Sequence, residues 1–560
     1  MSSVRRALEF AFKTRIALIA CAALAVLAAA PAAASAAPRG AFVTDYDATS
    51  VYQLTINADQ MLSFNGSASA GSGPMYEAVT PNGKYLYVAD DGLGFDGDGS
   101  TLSQYSIGSD GALTPLSPAT VAAGQGPAQV AVSPDGKNAY VANFRDGVTE
   151  YSIASNGTLT VIGTVISGLE SPEGIAVSPD GSSVYVSDRD ADEVVEYDRG
   201  SNGLLTPKTP DEVPFDAGSA AQIAMTPDGK YLYASGDDGG VDQYSVGSGG
   251  QLSPMTVPLV ATGGDTWGVV VSPNGHNVYT SDCSGDVSQF TVASNGELTA
   301  MTPATVPTDG CGALWMTANG AALFTPDQAK SLYQFSVSST GSLSAESPAS
   351  VSDSSASRLL AVTIPPDQGP VAAFSAKAGK AGKATKFNAS KSSSADGTVA
   401  SYHWSFGDGH TLTTTKAKVS HTYKKTGKYK VSLTVTDDSG CSTTQVFTGQ
   451  TAYCNPTKPT ISHTVKIATA TKPLKLVVSP KSAKAAQSTC YAFKATSKGH
   501  GVKKVSVKLA GHTATTSGSG KATLCLTLSK GTYHARASRH GYTVADARIT
   551  VSAASPVFTG

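Results

Sequence analysis

Residues 133–143, SPDGKNAYVAN, contain the pattern that decides the fold of this chain. The Ser-Pro-Asp-Gly tetrapeptide predicts a tight turn, because proline presets one backbone angle and glycine accepts a positive φ. Residues with the alternation of half-buried strands lie on both sides of the turn, at Gln129–Ser133 and Asn138–Ala142. Val148–Ile153 and Thr158–Val161 predict a third and a fourth strand. The unit is therefore expected to be a four-stranded antiparallel sheet.

The same turn recurs at intervals of 45 to 53 residues, the length of one blade of a β-propeller. The copies are Thr80–Gly83, Ser133–Gly136, Ser178–Gly181, Thr226–Gly229, Ser272–Gly275 and the degenerate Thr317–Gly320. Residues 41–64 match the last three strands of a unit, and residues 358–364 match a first strand, so we expect these segments to pair and close the ring. The sequence predicts a seven-bladed propeller over residues 38–366, because six or eight blades would leave strands without partners.

The turns and the strands after them carry a family resemblance. These strands read YLYVAD at 85–90, AYVAN at 139–143 and VYVSD at 184–188. The pattern resembles bacterial surface propellers with Tyr-Val-Thr-Asn repeats and, more distantly, the seven-bladed lactonase family. The lactonase resemblance implies an Arg-His pair before a first strand and an Asn-Glu pair after a second strand. No first-strand position holds Arg-His, and Asn143 is followed by Phe144. The sequence therefore predicts no catalytic residues of the lactonase kind.

Two further modules follow the propeller. The first carries three segments that look like the signature of a PKD domain, an immunoglobulin-like sandwich: YHWSFGDG at 402–409, HTY at 421–423 and VSLTVTD at 431–437. We assign residues 367–454 to it and residues 455–472 to a linker. Residues 473–553 resemble a bacterial immunoglobulin-like module. The predicted fold class is all-β, with a seven-bladed β-propeller followed by two immunoglobulin-like β-sandwich domains.

The N-terminus predicts export. Residues 1–36 look like a signal peptide cleaved after Ala36, because basic residues precede the apolar run Ile16–Ala29. Leu18–Cys21 offers a lipoprotein box as the alternative. No later segment approaches the ~20 apolar residues of a membrane span. The other six cysteines suit an oxidising compartment and form three neighbouring couples: Cys283 with Cys311, Cys441 with Cys454, and Cys490 with Cys525. We expect a secreted or cell-surface protein.

Charge divides the chain into two unlike parts. Residues 38–366 hold 36 acidic and 10 basic residues, whereas residues 367–560 hold 6 acidic and 27 basic residues. The basic part lacks a nucleic-acid recognition helix or stacking motif, so anionic cell-wall polymers are its expected partner. We therefore predict a non-enzymatic, monomeric adhesion protein whose propeller binds an extracellular glycan or protein. The alternatives are an exported lactonase-type hydrolase and a structural envelope component.

Two groups of residues are candidates for binding. The mouth of the propeller channel is expected to present Tyr76, Gln129, Glu173, Gln222, Trp267 and Arg358, a mixture suited to a small ligand or glycan. The alternative is that they are ordinary rim residues; in a hydrolase, Glu173 with Arg358 would have to perform the acid–base work. No cofactor is firmly indicated. Ca²⁺ is the best candidate, at Asp90, Asp91, Asp96 and Asp98 in the loop DDGLGFDGDG, against a solvated turn as the alternative.

Overall fold

The computed structural model describes residues 39–57, 59–92, 99–163 and 166–554. Every regular element in these residues is a β-strand, which confirms the all-β fold class. No helix in this part of the chain is long and apolar enough to cross a membrane. The predicted signal peptide and the calcium candidates Asp96 and Asp98 lie outside the described residues.

Seven four-stranded antiparallel sheets in the described residues form the predicted propeller. We number the blades 1 to 7 by the chain order of their innermost strands. The innermost strands of blades 1 to 7 are Pro74–Val79, Pro127–Val132, Pro172–Val177, Ala220–Met225, Thr266–Val271, Trp315–Met316 and Leu359–Thr363. The second strands, in the same order, are Tyr85–Asp90, Asn138–Asn143, Ser183–Asp188, Tyr231–Gly236, Asn277–Asp282, Ala322–Pro326 and Arg39–Asp45.

The outer half of each blade completes the sheet. The third strands are Thr101–Ile107, Gly147–Ile153, Glu193–Arg199, Gly240–Val246, Asp286–Val292, Ser331–Val337 and Ser50–Ile56. The outermost strands are Leu113–Ala122, Leu159–Val161, Leu205–Pro214, Leu252–Ala261, Leu298–Pro307, Leu343–Ser352 and Leu62–Ser69. We call the face on which the innermost strands begin the mouth face, and the face with the Ser-Pro-Asp-Gly turns the turn face.

The two ends of the propeller meet in blade 7, as predicted. Phe42 and Val43 of the N-terminal strand pair antiparallel with Thr363 and Val362. The Asp45 carboxylate strengthens this joint by accepting hydrogen bonds from the Ser357 and Arg358 amides at 2.8 and 2.9 Å. Because the closing sheet contains strands from both ends, the ring has no exposed sheet edge between its first and last blades.

The recurring turn has a clear physical reason. In blade 2 the Ser133 hydroxyl donates to Asp135 at 2.7 Å and accepts from the Asn138 amide at 3.0 Å. Gly136 closes the turn with φ +67, and a Cβ atom there would lie 3.5 Å from Pro81 of the preceding turn. The same contact joins later neighbours: Gly181 with Pro134, Gly229 with Pro179, Gly275 with Pro227, and Gly320 with Pro273. The motif therefore shapes each turn and fits it to the turn before it.

A second ring of contacts ties the blades together. In each third strand one glutamine or glutamate accepts a hydrogen bond from the first leucine amide of a neighbouring outermost strand, at 2.5 to 3.0 Å. The acceptors and donors are Gln53 and Leu113, Gln104 and Leu159, Glu150 and Leu205, Glu196 and Leu252, Gln243 and Leu298, Gln289 and Leu343, and Gln334 and Leu62. Buried amides need such partners, so this ring holds the blades in register.

Two sheets form the PKD sandwich. The first contains Ser375–Ala376, Ala384–Asn388 and Lys418–Thr422. The second contains Gly379–Lys380, Thr460–Ala468, Gly427–Asp437, Val399–Ser405 and Thr411–Thr414. Trp404 is fully buried between them, with ring centroids 5.1 Å from Phe374 and 5.5 Å from Phe387. The aromatic core follows from the alternation of the YHWSF segment.

The predicted linker at 455–472 is wrong over half of its length. Thr460–Ala468 is a strand of the PKD sandwich and pairs antiparallel with residues 427–434. Its Val465 and Ile467 side chains are buried in the sandwich core, so burial of an alternating apolar face gives this segment its structure. The predicted PKD boundary at 454 is therefore too early.

The segment just before it leaves the sandwich. Residues 446–453, which we call the plug, enter the propeller channel from the turn face and bond to its innermost strands. The disulfide Cys441–Cys454 closes the loop that carries the plug. Both ends of the plug belong to a small sheet, whose strands are Asp367–Gln368, Ala452–Asn455 and Val446–Phe447. This connection between the modules was not predicted.

The third module is a two-sheet sandwich with one apolar core. One sheet contains Lys475–Ser479, Ser488–Ser497, His500–Gly501 and Lys521–Thr527. The other contains Ser482–Lys484, Ala545–Ser552, Gly531–Ser538, Ser506–Leu509 and His512–Thr515. The Cys490–Cys525 disulfide joins directly opposite residues of two neighbouring strands.

The inter-blade ring can be tested at Gln243, whose side chain accepts from the Leu298 amide at 2.6 Å and donates to the Val257 carbonyl at 2.7 Å. Gln243→Leu leaves both partners without these bonds and is expected to lower the free energy of unfolding of the propeller by about 1–3 kcal/mol. Calorimetry of the propeller transition measures the change. Gln251→Leu, whose side chain bonds only at the exposed surface, is the control; equal losses in the two variants would contradict the prediction.

Candidate functional site

A pocket of about 230 Å³ opens at the mouth of the channel. It is lined by Met75, Asp91, Ala128, Phe144, Glu173, Arg189, Trp267 and Arg358. Four of these residues lie at the start of innermost strands and Arg358 directly precedes one, while Asp91, Phe144 and Arg189 directly follow second strands. Both positions lie on the mouth face in a propeller blade, so side chains distant in sequence converge here.

Glu173 and Arg189 form the charged centre of the pocket. Glu173 is 3% exposed and accepts a hydrogen bond from the Arg189 guanidinium at 3.2 Å. Burial raises the pKa of Glu173 to about 7, although the nearby Arg189 guanidinium opposes the shift. Asp237 bonds the other end of that guanidinium at 3.2 Å. Near neutral pH, Glu173 can therefore both accept and release a proton.

Asp91 and Arg358 line the opposite part of the wall. The Tyr46 hydroxyl donates to the Asp91 carboxylate at 3.3 Å, and the Arg358 guanidinium lies 5.7 Å from the centre of the Tyr46 ring. Gln328 accepts from Arg358 at 3.5 Å and donates to the sulfur of Cys311 at 3.1 Å. Cys311 is joined to Cys283, so a disulfide on the mouth face supports this side of the pocket.

The six residues predicted at the mouth divide between two cavities. Glu173, Trp267 and Arg358 line the mouth pocket. Tyr76, Gln129 and Gln222 instead surround a smaller cavity of about 40 Å³, which we call the chamber. In the first two blades the residue one position earlier, Met75 or Ala128, faces the mouth. Consecutive strand residues point in different directions, which explains the division.

The chamber is polar and buried. Glu77 also lines it, and neither of its carboxylate oxygens has a hydrogen-bond partner among the described residues. The Thr44 hydroxyl, near Glu77, donates instead to the Met75 carbonyl at 2.6 Å. Burial therefore raises the pKa of Glu77 well above its ordinary value. Gln450, from the plug, contributes to the same chamber.

Sequence reasoning missed several contributors to these cavities, Arg189, Phe144, Glu77 and Gln450 among them. Arg189 carried a signal, because it is one of few basic residues in acidic loops. Phe144 occupies the position where the lactonase pattern has its glutamate, and it lines the pocket. Gln450 carried no signal, because nothing local to its segment indicates a position inside the propeller.

The calcium prediction remains a prediction. Asp90 is 1% exposed and accepts hydrogen bonds from the hydroxyls of Thr101 and Ser103 at 3.0 and 2.9 Å. Burial raises the pKa of Asp90 to about 7. Asp91 faces the mouth pocket instead. The two described aspartates thus have different surroundings, and those of Asp90 are typical of a structural role.

Two other groups of described residues bring potential metal ligands within 4.8 Å of one another. In the first, Asp408 bonds His410 at 3.2 Å and His421 at 2.8 Å on the PKD sandwich. These hydrogen bonds already account for the arrangement. The second contains Asp367, Asp437 and Cys441, but the sulfur of Cys441 is in a disulfide.

Comparisons with known proteins agree with the fold. Residues 114–217 match the family model described as "Lactonase, 7-bladed beta-propeller", and residues 367–450 match the model described as "PKD domain". A solved protein from Lactobacillus plantarum is 21% identical, with a TM-score of 0.51 over 58% of this chain and 99% of its own. A putative 6-phosphogluconolactonase from Bacteroides fragilis is 20% identical, with a TM-score of 0.50 over 59% of this chain and 98% of its own.

Further comparisons extend both similarities. The periplasmic gluconolactonase of Pseudomonas aeruginosa is 18% identical, with a TM-score of 0.50 over 58% of this chain and 98% of its own. Such identities show the propeller fold alone. Collagenase ColA of Clostridium perfringens is 46% identical over 54 residues, or 10% of this chain. The chain spans 5 to 8% of the length of the curated relatives it matches.

Glu77 makes stability depend on pH. Its folded pKa is raised above the ordinary 4.5, so the unfolded chain loses the proton first and the free energy of unfolding falls as pH rises above 4.5. Glu77→Gln cannot ionise, and its stability relative to the natural chain is expected to grow by up to about 1.4 kcal/mol per pH unit. Denaturant unfolding between pH 5 and 8 measures this difference. Glu297→Gln, on an outer turn, serves as control, and a difference that does not change with pH would contradict the prediction.

Proposed function

We propose that the protein is an extracellular hydrolase that opens lactone rings, with the mouth pocket as its active site. The observation that carries the proposal is Glu173, a buried carboxylate with a pKa raised to about 7, held beside Arg189 in a pocket that Arg358 also lines. The lactonase family match and the names of two propellers of the same fold support a sugar-acid lactone as substrate. The three disulfides support an exported protein.

The pocket offers the groups that this reaction needs. Ionised Glu173 removes a proton from water, and the hydroxide oxygen bonds to the lactone carbonyl carbon. The negative charge that develops on the carbonyl oxygen is stabilised by the guanidinium groups of the pocket. As the ring C–O bond breaks, Glu173 returns its proton to the ring oxygen. The products are one carboxylic acid group and one hydroxyl group on the same molecule.

This arrangement departs from the pairs implied by the lactonase resemblance. The position expected to carry glutamate holds Phe144, and the carboxylate is supplied by Glu173 of the next blade. Phe144 and Trp267 give the pocket aromatic walls, which suit the apolar face of a sugar ring. We therefore expect a substrate different from that of an enzyme with the usual pairs.

The role of Glu173 predicts both a loss of activity and a pH dependence. Glu173→Gln is expected to lower kcat for a sugar-acid lactone by about 100-fold or more, because general-base catalysis contributes on that scale. In the natural chain kcat/KM should rise with pH through about 7, where Glu173 loses its proton. Stopped-flow proton release in weak buffer measures both.

The matched control is Glu170→Gln, three residues earlier on the exposed surface. It should leave the rate and its pH dependence unchanged. Full activity of Glu173→Gln on every lactone that the natural chain hydrolyses would exclude Glu173 as the base.

We further propose that the basic modules hold the protein on the anionic cell envelope. The supporting observation is that residues 367–560 hold 27 basic residues and only 6 acidic residues. Cell-wall polymers that carry phosphate or carboxylate groups are the expected partner. Attachment would then keep the acidic propeller, with its pocket, outside the wall.

Attachment is expected to depend on salt. The quadruple variant of Lys503, Lys504, Lys508 and Lys521 to Gln removes four exposed charges of the third module and should weaken retention on isolated cell walls several-fold at low salt. High salt should release the natural chain, because exposed charges are screened. The control changes Lys84, Lys137, Lys230 and Lys330, four exposed propeller lysines. Equal retention of all three proteins would rule out this attachment.

A further inference from the structure

The plug follows an arc around the channel. Four consecutive plug residues, in reverse order, accept hydrogen bonds from the innermost strands of blades 1 to 4. These bonds join Val79 to Thr451 Oγ1 at 3.0 Å, Val132 to the Gln450 carbonyl at 3.0 Å, Val177 to the Gly449 carbonyl at 2.8 Å and Met225 to the Thr448 carbonyl at 2.8 Å. In each case the donor is the backbone amide near the end of an innermost strand. These strands are sheet edges, so the plug satisfies groups that would otherwise face the channel.

Aromatic side chains complete the closure. Tyr453 is 2% exposed and stacks on Trp315 of blade 6 with ring centroids 4.8 Å apart. Its hydroxyl donates to the Val271 carbonyl of blade 5 at 3.4 Å. Phe447 is 1% exposed and packs in the core shared by blades 2 and 3. The plug, VFTGQTAY, carries no charge, which suits burial in the channel.

Gly449 allows the close approach. Its φ of +136 is a conformation that other residues rarely adopt, and a Cβ atom there would lie 3.0 Å from Cβ of Ala176. Gly440, just outside the disulfide-closed loop, also has a positive φ of +89 but has open space around it. Both glycines therefore have a backbone conformation that other residues rarely adopt, but only Gly449 contacts the propeller.

Gln450 connects the plug to the strands of the proposed active site. Its side-chain amide donates to the Ile175 carbonyl at 3.0 Å and to the Ile223 carbonyl at 2.7 Å. Ile175 lies two residues after Glu173, and Ile223 directly follows Gln222. One amide group thus bridges the innermost strands of blades 3 and 4 below the mouth pocket. Gln450 also lines the chamber.

We infer that the plug is the floor of the active site and that Gln450 is a positioning residue, which fixes the strand that carries Glu173 and keeps bulk water out of the chamber. The inference rests on the proposed hydrolase function for its kinetic consequences only. A free propeller would have a channel open at the turn face, whereas the plugged propeller has a blind pocket that opens at the mouth. The PKD sandwich, which supplies the plug, is then part of the catalytic unit.

The floor affects Glu173 through solvent. Burial is the largest cause of its raised pKa, and the charged or titratable groups around it are Arg189, Asp237, Asp91 and Tyr76, with Arg358 in the same pocket. None of them is changed when Gln450 is shortened. Water admitted to the chamber would reduce the cost of ionising Glu173 and bring its pKa down.

The kinetic test uses the full chain. Gln450→Ala should lower kcat about tenfold and move the acid limb of the kcat/KM profile to lower pH by at least half a unit. Gln450→Met restores the volume without the hydrogen bonds, so the acid limb should return while kcat stays low. Gln445→Ala is the matched control, because Gln445 donates to the Pro134 carbonyl at the same interface but outside the channel. If the profiles of Gln450→Ala and Gln445→Ala coincide with that of the natural chain, Gln450 has no positioning role.

A structural test is independent of activity. Gly449→Val should displace the plug and speed hydrogen exchange of peptides that contain Val132, Val177 and Met225, whereas Gly440→Val should not. Unchanged exchange in Gly449→Val would show that the plug does not cover these strands and would overturn the inference. If the natural chain hydrolyses no lactone but the exchange results hold, the proposed function fails, and with it the role in catalysis, while the plug stands as the channel's closure. If the natural chain hydrolyses a lactone and Gln450→Ala has the same kcat and pH profile, the proposed function stands and the positioning role of Gln450 fails.

Discussion

Each blade of this propeller presents its innermost strand to the axis as an open sheet edge, and the structure depends on how those edges are satisfied. At the turn face the plug accepts hydrogen bonds from successive blades, from Val79 through the Thr451 hydroxyl and from Val132, Val177 and Met225 through backbone carbonyls. At the mouth face, charged and apolar side chains of the described residues line a pocket instead. An unpaired buried amide is costly, so the plug pairs with the innermost strands at the turn face. At the mouth face the channel is open and forms the pocket.

The electrostatic character of the site follows from this asymmetry. Closed below and open above, the channel buries Glu173 and raises its pKa to about 7, while Arg189 keeps the ionised form within reach of neutral pH. Burial in the chamber also raises the pKa of Glu77 well above its ordinary value. The two carboxyl groups therefore lie in different cavities of the channel, Glu173 in the mouth pocket and Glu77 in the chamber. The plug contributes to both by excluding solvent from the axis.

Much of the fold could be predicted because its rules are local. The Ser-Pro-Asp-Gly turn is built from contacts within six residues, such as those of Ser133 with Asp135 and Asn138, and it recurs in six of the seven blades. The site was predicted less well. Glu173, Trp267 and Arg358 reach the pocket, but Tyr76, Gln129 and Gln222 lie in the chamber. A shift of one residue along a strand decides between the two cavities, and repeat spacing does not resolve it.

The sequence by itself determined the strand periods, the blade length, the closure of the ring by its own ends and the two unlike halves of charge. The strand periods, the blade length and the charge depend on residue types close together in the chain or on composition, and the ring closure follows from the strands that the repeat leaves unpaired at its two ends. Tertiary structure alone decided that Thr460–Ala468 belongs to the PKD sandwich and that Gln450 reaches Ile175 and Ile223. Gln450 lies more than 200 residues from both isoleucines in the sequence. The plug is an uncharged loop without a local pattern that predicts what it contacts, so only the folded chain shows where it binds.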